Sequence, residues 1–470
     1  MTTAVVVGSG PNGLAAALTL AAAGVQVRVI EAADVLGGGA RSSELTLPGL
    51  VHDECSGMHP MTPGSAFAQR FDLAGAGLTW RWAPVEFAHP LDGGRGAAAV
   101  RSVTDTAASL GAGGRGWQHT FGPLTKRFGT ISHEFLQPVL HLPRHPLHLA
   151  LFGAYAGLPA TLLARRFRTP EAQALFTGVA VHAFRPLDTL ASSAIGVALT
   201  TAAHAFGWPV AEGGSAAIRD AILVRAAEHG VRFETGRQVT SLDELGSPDV
   251  VMLDTSPAAA ARIAGDRMPR HVRRAYLRYR HGPGAFKVDF AVEGGVPWTH
   301  EGSRSAGTVH LGGDVEEMAA AEQDVAAGRL PERPFVLIGQ QYLADATRSA
   351  GDIHPLYAYA HVPAGFTGDA THAITARIEQ YAPGFRDRIL ATCVRSTTEL
   401  SRHNDNYVGG DIVTGTNDPW QLVFRPRLAL DPYATGVPGV YLCSAATPPG
   451  AGAHGMCGYN AAQHALARLQ

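Results

Sequence analysis

The sequence predicts an α/β protein in which two interleaved domains share one chain, and three observations support that prediction. With 470 residues, the chain has room for about two or three domains. It opens with a strand-helix-strand pattern around a glycine-rich turn. Later blocks of alternating strands and helices lie on either side of a helical stretch at residues 120–200, so one domain is interrupted by another.

The opening unit spans residues 4–30 and includes the run VVVGSGPNGLAAALTL. Residues 4–7 predict a buried strand, residues 12–23 a helix ended by a glycine, and residues 25–30 a second strand. The turn between the first strand and the helix carries three glycines in the spacing G-x-G-x-x-G: Gly8, Gly10 and Gly13.

These glycines have separate physical roles in a Rossmann-type motif. The first permits a tight turn, the second lets a diphosphate approach the backbone, and the third lets helix and strand pack closely. The helix N-terminus offers N–H groups and a partial positive charge to the phosphates. Glu31 closes the second strand about 20 residues after the glycines, where a carboxylate can accept a hydrogen bond from a ribose hydroxyl. We therefore expect a dinucleotide to contact Gly8, Ser9, Gly10, Pro11, Asn12, Gly13, Glu31 and Ala32.

The rest of the chain supplies further strands and helices. Residues 81–100 show little periodicity. Residues 215–229 predict an amphipathic helix, and strands follow at residues 231–234 and in DVVMLDT. AFKVDFAV and FVLIGQQYL predict strands, and THAITARIEQYAPGF predicts a helix. The last block predicts a strand, a glycine-rich loop and a helix.

Composition limits the classes of function. The net charge of -2 gives no reason to expect nucleic acid as a partner. Four cysteines without a C-x-x-C pair favour a reducing compartment, and no signal peptide or apolar run of membrane-spanning length is apparent, so we expect a cytoplasmic protein. The histidines lack metal-ligand spacing near carboxylates, and no metal site is expected.

Five motifs occur in an order that matches a known family: VVVGSGPNGLAAA, EAADVLGGGARS, EGGSAAIRDAI, AFKVDFAVEGGVPW and GVYLCSAATPPGAGAHGMCG. With them the chain resembles the phytoene-desaturase-like branch of the FAD-dependent amine-oxidoreductase superfamily, which includes carotenoid desaturases and isomerases and retinol saturase. The resemblance implies FAD and a glutathione-reductase-like FAD-binding domain of amine-oxidase topology, with an interleaved α+β substrate domain. Residues 1–80, 205–285 and 406–470 are assigned to the FAD-binding domain, and residues 81–204 and 286–405 to a substrate-binding or lid domain.

The resemblance also implies further FAD contacts. They are Gly38, Gly39, Arg41, Ser56, Gly57, Val239, Ser444, Ala445, Gly455 and Met456. Gly39 stands where relatives have an arginine along the diphosphate, and Arg41 is either the replacement or an ordinary surface arginine. Val239 either meets the adenine through its backbone or is an ordinary core residue. Gly455 and Met456 begin a helix whose N–H groups would stabilise the negative charge of reduced flavin.

Three residues are candidates for the chemistry. Lys287 is one of only two lysines and lies in the apolar strand AFKVDFAV. Resemblance to amine oxidases implies that it holds a water at flavin N5; the alternative is a solvent-facing lysine. His59, in the segment that would run under the flavin, and His454 are candidates for moving protons near neutral pH, or else structural histidines. His182 is a further candidate.

The predicted function is hydride transfer between FAD and a carbon atom of a small, apolar, unsaturated substrate, with desaturation, saturation or isomerisation as the outcome. The sequence has no second G-x-G-x-x-G after a strand, so no dedicated nicotinamide domain is expected. A flavin amine oxidase and a non-catalytic flavin-binding subunit are the alternatives. Residues 146–168 form either a lid over the active site or a helix pair in contact with a membrane. The oligomeric state stays open.

Overall fold

A computed structural model describes residues 1–469 and contains two main sheets and two short two-stranded ones. The strands, numbered along the chain, are β1 (Thr3–Val7), β2 (Gln26–Ile30), β3 (Ser42–Ser43), β4 (His52–Asp53), β5 (Trp80–Arg81), β6 (Val85–Pro90), β7 (Gly96–Ala99), β8 (Val210–Ala211), β9 (Arg232–Glu234), β10 (Val250–Leu253), β11 (Gly284–Glu293), β12 (Ala306–Leu311), β13 (Val336–Gly339), β14 (Ile353–Val362), β15 (Ile389–Arg395) and β16 (Val440–Leu442).

The α-helices are numbered in the same way. They are α1 (Pro11–Ala21), α2 (Ala66–Arg70), α3 (Val103–Ser109), α4 (Gly114–Thr125), α5 (Phe128–Phe135), α6 (Pro146–Ala156), α7 (Ala160–Ala164), α8 (Pro170–Ala180), α9 (Ser193–Ala205), α10 (Ala216–Glu228), α11 (Pro257–Ala264), α12 (Arg270–Leu277), α13 (Val315–Ala326), α14 (Thr371–Tyr381), α15 (Thr397–His403), α16 (Pro419–Phe424) and α17 (Met456–Leu469).

The first sheet is five-stranded and parallel, in the order β16-β10-β1-β2-β9. Its central strands are almost entirely buried, because α1, α10 and α17 cover one face while α11 and α12 cover the other. A parallel sheet that is buried on both faces needs continuous apolar runs, and VVV in β1 and VVML in β10 supply them. This confirms the predicted α/β class with a Rossmann-type core.

The second sheet has seven strands in the order β15-β11-β14-β13-β12-β6-β7. One face packs on α14 through the alternate residues Phe286, Val288 and Phe290 of β11. The opposite face lies under α8 and α9. β11 begins at Gly284, two residues before the predicted domain limit.

Strands β6 and β7 lie at residues 85–99, where the sequence shows little periodicity. Both faces of β6 are buried, so its residues do not alternate between polar and apolar. The predicted helical stretch at 120–200 is confirmed by α4 to α9, and the helix predicted from THAITARIEQYAPGF is confirmed as α14.

Among residues 1–469 no single helix has both the length and the apolar composition to cross a membrane. Pro146–Ala156 and the following segment Ala160–Phe167 reach that length and composition together, but they are bent by 95°.

Candidate functional site

The turn between β1 and α1 holds the predicted dinucleotide motif. Gly8 has φ +97°, a left-handed conformation that a side chain would strain. Its N–H donates to the carbonyl of Ile30 at 2.8 Å, which ties the turn to the end of β2. Gly10 caps α1 without any side-chain hydrogen bond, and Pro11 begins the helix. The local sequence therefore builds a helix N-terminus at the carboxyl edge of a parallel sheet, as the motif predicts.

Asp254 is a second acid in this corner, and sequence reasoning missed it. It follows β10, the neighbour of β1, and its Oδ2 accepts the N–H of Gly13 at 3.0 Å. A Cβ added at Gly10 would lie 2.6 Å from the same oxygen. Burial, aided by the nearby Glu31 carboxylate, raises the pKa of Asp254 to about 7, although the N–H groups of Gly13 and Gly10 lower it.

Glu31 lies at the end of β2, as predicted. Its Oε2 accepts the N–H of Ser9 at 2.8 Å and the Ser9 hydroxyl at 2.6 Å, and its Oε1 accepts the N–H of Ala33 at 2.9 Å. Ala32 between them is exposed. The carboxylate is thus fixed beside the glycine turn, where a ribose would lie.

The second glycine motif lies directly against the first. A Cβ at Gly38 would lie 2.8 Å from the Cα of Gly10. A Cβ at Gly39 would overlap the hydroxyl of Tyr407, so that hydroxyl fills the space that a side chain at residue 39 would enter. Arg41 donates to the carbonyl of Gly38 at 2.8 Å and to the carbonyl of His403 at 3.0 Å. Arg41 therefore ties α15 to this motif, and its contact with a phosphate stays a prediction.

The next segment leads from the glycines toward the second sheet. The N–H of Ser56 donates to the carbonyl of Gly39 at 3.1 Å, and a Cβ at Gly57 would lie 2.6 Å from Nε2 of Gln341. Asp53 anchors this segment, because its Oδ2 binds the fully buried guanidinium of Arg348 at 2.6 Å.

The C-terminal block packs on the same corner. α17 crosses α1 so closely that a Cβ at Gly458 would overlap the carbonyl oxygen of Asn12. His454 caps α17, since its Nδ1 accepts the N–H of Met456 at 3.1 Å. A Cβ at Gly455 would lie 3.0 Å from the Cβ of Ala15. The early glycine turn and the start of α17 are therefore neighbours.

The remaining predicted contacts surround the first sheet. Val239 is buried in the apolar cluster that includes Val5 and Leu442. Ser444 is buried just after β16, and the carbonyl of Ala445 accepts a hydrogen bond from Arg425 at 3.3 Å. Val239 thus shares a cluster with Val5 of β1, and Ser444 and Ala445 follow β16, the neighbour of β10.

Lys287 is buried on β11, with 2% of its surface exposed, so it is not a solvent-facing lysine. Its Nζ forms a salt bridge with Asp289, two residues along the same strand, and lies 4.3 Å from the ring centroid of Tyr357. The other carboxylate oxygen of Asp289 lies 3.5 Å from Nδ1 of His52. The hydroxyl of Tyr357 donates to the carbonyl of Cys55 at 2.7 Å, so the lysine adjoins the segment that holds Ser56 and Gly57.

Strand pairing extends a row of side chains across the sheet from this lysine. Lys287 pairs with Tyr359, Tyr359 with Leu337, and Leu337 with His310. Nε2 of His310 lies 2.9 Å from Nε2 of His182. α8 and α9 cover this face with apolar side chains. This row places polar side chains on a sheet face that the apolar side chains of α8 and α9 cover.

Burial has the same effect on the pKa of the two histidines predicted to be catalytic. Burial lowers the pKa of His59 to about 4, although Asp53 opposes the effect, and burial lowers the pKa of His454 to about 4. Both imidazoles are therefore neutral at pH 7. Among the described residues no hydrogen bond joins Lys287, His59 and His454 to one another, and their catalytic roles stay predictions.

The residues that sequence reasoning missed left a signal in strand periodicity. Asp289 follows Lys287 by two residues, so both lie on one face of β11. LYAYAHV in β14 repeats polar aromatic residues with period two, which places Tyr357, Tyr359 and His361 on the same face. Tyr407 has no such signal, because it lies in an irregular segment far along the chain from Gly39.

Comparisons with known proteins agree with this architecture. Residues 6–74 match the family model of an NAD(P)-binding Rossmann-like domain. Phytoene dehydrogenase from Streptomyces griseus is 27% identical over 432 residues, covering 83% of this chain and 78% of that protein. Pyridine nucleotide-disulfide oxidoreductase domain-containing protein 2 of Rattus norvegicus is 25% identical over 543 residues, covering 98% of this chain and 92% of the rat protein. A solved variant of putrescine oxidase has the same fold, with a TM-score of 0.61 at 17% identity over 99% of both chains.

Proposed function

We propose that this oxidoreductase is a member of the FAD-dependent amine-oxidoreductase superfamily with phytoene-desaturase-like relatives, that it binds FAD, and that it acts on a small, apolar, unsaturated substrate. The observation that carries the proposal is one continuous line of contacts. It runs from Gly10 to Gly38, from Gly39 to Ser56, from Cys55 to Tyr357, and from Tyr357 to Lys287. A long dinucleotide can lie along that line, with its diphosphate at the glycines and its ring near the lysine.

The residues present fit FAD. The glycines bring the N-terminus of α1 against the Gly38 motif, where helix N–H groups suit a diphosphate. Glu31 is fixed beside that turn, and α17 starts beside the same corner. Asp254 does not prevent binding, because a carboxyl group with a pKa of about 7 can take up a proton beside an added phosphate. When bound, FAD supplies the group that accepts or gives a hydride.

The protein groups near the ring would orient the substrate and hold a proton. Lys287 is fixed by its contact with the Asp289 carboxylate and lies over the Tyr357 ring face. An ammonium in that position can bind a water or a polar intermediate of the substrate. The helices that cover this face exclude bulk water, which strengthens such interactions.

An apolar substrate is supported by the cover of the lysine-bearing face. Phe152, Phe176 and Phe184 belong to the cluster that packs over Tyr357 and Tyr359. Apolar and aromatic walls with a few placed polar groups are typical of pockets for lipophilic molecules. The relative from Streptomyces griseus is a phytoene dehydrogenase, which agrees with this class.

The proposal is tested on the purified protein. We expect a flavin absorbance spectrum, release of FAD on denaturation, and bleaching of the bound flavin when a polyene or a related lipophilic alkene is added without oxygen. The assignment of FAD is refuted if the protein is colourless and does not take up added FAD. The substrate class is refuted if no alkene reduces the bound flavin and if flavin reduced by dithionite does not return electrons to an alkene.

A flavin amine oxidase is the second candidate. The observation that favours it is Tyr357, whose ring face lies under the amino group of Lys287, with Nζ 4.3 Å from the ring centroid. Hydrogen peroxide release with amines, and none with alkenes, would select that activity. If neither class of substrate changes the flavin spectrum, the non-catalytic flavin-binding subunit is selected instead.

A further inference from the structure

The segment from the end of α5 to the start of α8 has an unusual surface. Large apolar side chains on it are exposed to solvent: Val139 by 42%, Leu140 by 47%, Leu142 by 94%, Leu147 by 82% and Leu162 by 49%. Leu190, which is 68% exposed, joins them, because its neighbour Ala191 donates to the carbonyl of Gly157 at the bend between α6 and α7. Clusters of exposed leucines of this kind mark an interaction site.

The exposed apolar patch belongs to a well-packed part of the molecule. The Phe135 and Phe152 rings stack at 5.2 Å, and the carboxylate of Glu134 accepts the N–H of His145 at 2.8 Å. The hydroxyl of Ser193 donates to the carbonyl of Tyr155 at 2.6 Å. The leucines are therefore held outward by a fixed scaffold.

The charges within the segment that carries most of the patch are all positive, although the exposed Asp188 lies two residues before Leu190. No aspartate or glutamate occurs in residues 135–170, whereas Arg144, Arg165, Arg166 and Arg168 lie within it or at its end. Arg166 also lines a shallow pocket of about 490 Å³, and the other cations of that pocket are Lys126 and Arg127.

The cations of that pocket have no carboxylate partner among the described residues. Arg127 donates to the carbonyl of Pro123 at 3.2 Å, and Arg166 donates to the hydroxyl of Thr120 at 3.2 Å. Basic side chains that flank exposed leucines complement a surface with phosphate groups above hydrocarbon.

We propose that this surface, formed by residues 139–168 together with Leu190, Lys126 and Arg127, docks on a lipid bilayer that contains anionic lipids. The leucines enter the hydrocarbon boundary, and the basic side chains bind lipid phosphates. The inner residues of α6 and α7, Phe152 and Ala160, belong to the cluster that covers the lysine-bearing sheet face. The inner side of the helix pair therefore packs over the lysine-bearing sheet face, and its outer side contacts the membrane. A lipophilic molecule then has a short route from the bilayer to that sheet face.

The test is flotation of the full-length protein with lipid vesicles, in the absence of substrate. Vesicles of phosphatidylcholine with 30% phosphatidylglycerol, about as anionic as a cytoplasmic leaflet, are compared with vesicles of phosphatidylcholine alone. We expect binding to the anionic vesicles and a marked loss of binding in high salt. Leu142→Glu/Leu147→Glu is expected to abolish binding, and Arg166→Gln/Lys126→Gln is expected to weaken it by about fivefold per charge.

Matched controls change the same residue types elsewhere on the surface. Leu430→Glu replaces a leucine that is 95% exposed, and Arg262→Gln/Arg270→Gln removes two exposed arginines. Both controls should bind vesicles like the unaltered protein. Three results would overturn the proposal. Patch and control variants could lose vesicle binding equally, or the protein could bind neutral and anionic vesicles equally. The protein could also bind no vesicles and form a dimer that Leu142→Glu/Leu147→Glu dissociates. Because no turnover is measured, a failure of the proposed function would not affect this result.

Discussion

Single residues determine the charge at both ends of the proposed cofactor site. Asp254 brings a buried carboxyl group to the glycine corner, and the Lys287–Asp289 pair brings a buried salt bridge to the second sheet. A buried carboxyl group and a buried ion pair respond differently to mutation, because the first is destabilised when it ionises and the second when one partner is removed.

Asp254→Asn is expected to make the protein more stable above neutral pH. Folding raises the pKa of this group from 3.8 to about 7, so its contribution to stability is fully present below pH 4 and is lost as the pH rises to about 7. The full loss is of the order of 4 kcal/mol, and an uncharged asparagine avoids it. Thermal melts should show a higher Tm than wild type at pH 8 and little difference at pH 4.5.

The control for this prediction is Asp266→Asn, whose side chain is fully exposed. Its stability should follow wild type at both pH values. A wild-type Tm that is unchanged between pH 5 and pH 8 would contradict the buried titration of Asp254.

Lys287→Met is expected to destabilise the fold by about 3 kcal/mol or more, because it leaves the buried Asp289 carboxylate without its cation. Asp289→Asn alone should also cost stability. The double variant Lys287→Met/Asp289→Asn should lose less than the sum of the two, with a coupling of about 1–3 kcal/mol in urea denaturation. Strict additivity would mean that the two side chains do not form a pair in solution.

The double variant also tests the proposed role of Lys287 in the reaction. Lys287→Met/Asp289→Asn should keep bound flavin, since neither residue contacts the glycine corner, while flavin reduction by substrate and reoxidation change in rate. Stopped-flow absorbance at the flavin band measures both rates. Rates equal to wild type would exclude Lys287 from the reaction.

At the scale of elements, the close crossing of α1 and α17 joins the two ends of the chain. Gly458→Ala is expected to destabilise the protein by about 1–3 kcal/mol, because the added Cβ overlaps the carbonyl oxygen of Asn12. Gly129→Ala is the matched control, since Gly129 lies in α5 with no atom within 4 Å of the added Cβ. Gly129→Ala should raise the free energy of unfolding by about 0.5–1 kcal/mol. Guanidinium denaturation measures both, and a loss of the same size at the two sites would contradict the tight crossing.

Periodicity and glycine spacing predicted the elements that have a strong local pattern. The β1-α1-β2 unit, β11 and α14 follow from their own residues, because burial on one or both faces leaves a regular apolar pattern. β6 was not predicted, since the buried polar residues Glu86 and His89 interrupt its apolar pattern. β7 was not predicted, since its sequence GAAA carries only small residues. The Tyr407–Gly39 contact was not predicted either, because residues so far apart in the chain meet only through tertiary packing.

At the scale of the whole molecule, the proposed site is assembled from parts that are far apart in sequence. The glycine corner, the segment around Ser56, β11 and the start of α17 adjoin one another through single contacts between backbones or side chains. A ligand that touches all of them must stabilise them together, because binding lowers the free energy of the folded state only. A ligand confined to the glycine corner would stabilise that corner alone.

Hydrogen exchange of apoprotein and FAD-loaded protein should distinguish these cases. We expect FAD to slow amide exchange in residues 8–13, 38–57 and 453–458 at once, because the adenine half, the diphosphate and the ring each contact a different segment. ADP, which lacks the ring, should protect residues 8–13 and leave residues 453–458 as they are in the apoprotein. Exchange in α12, which packs on the first sheet through Val272 and Tyr276, should not respond to either ligand. Protection by FAD that stops at residue 31 would show that the chain holds only a nucleotide half at its first motif, and the line of contacts to Lys287 would then serve the fold alone.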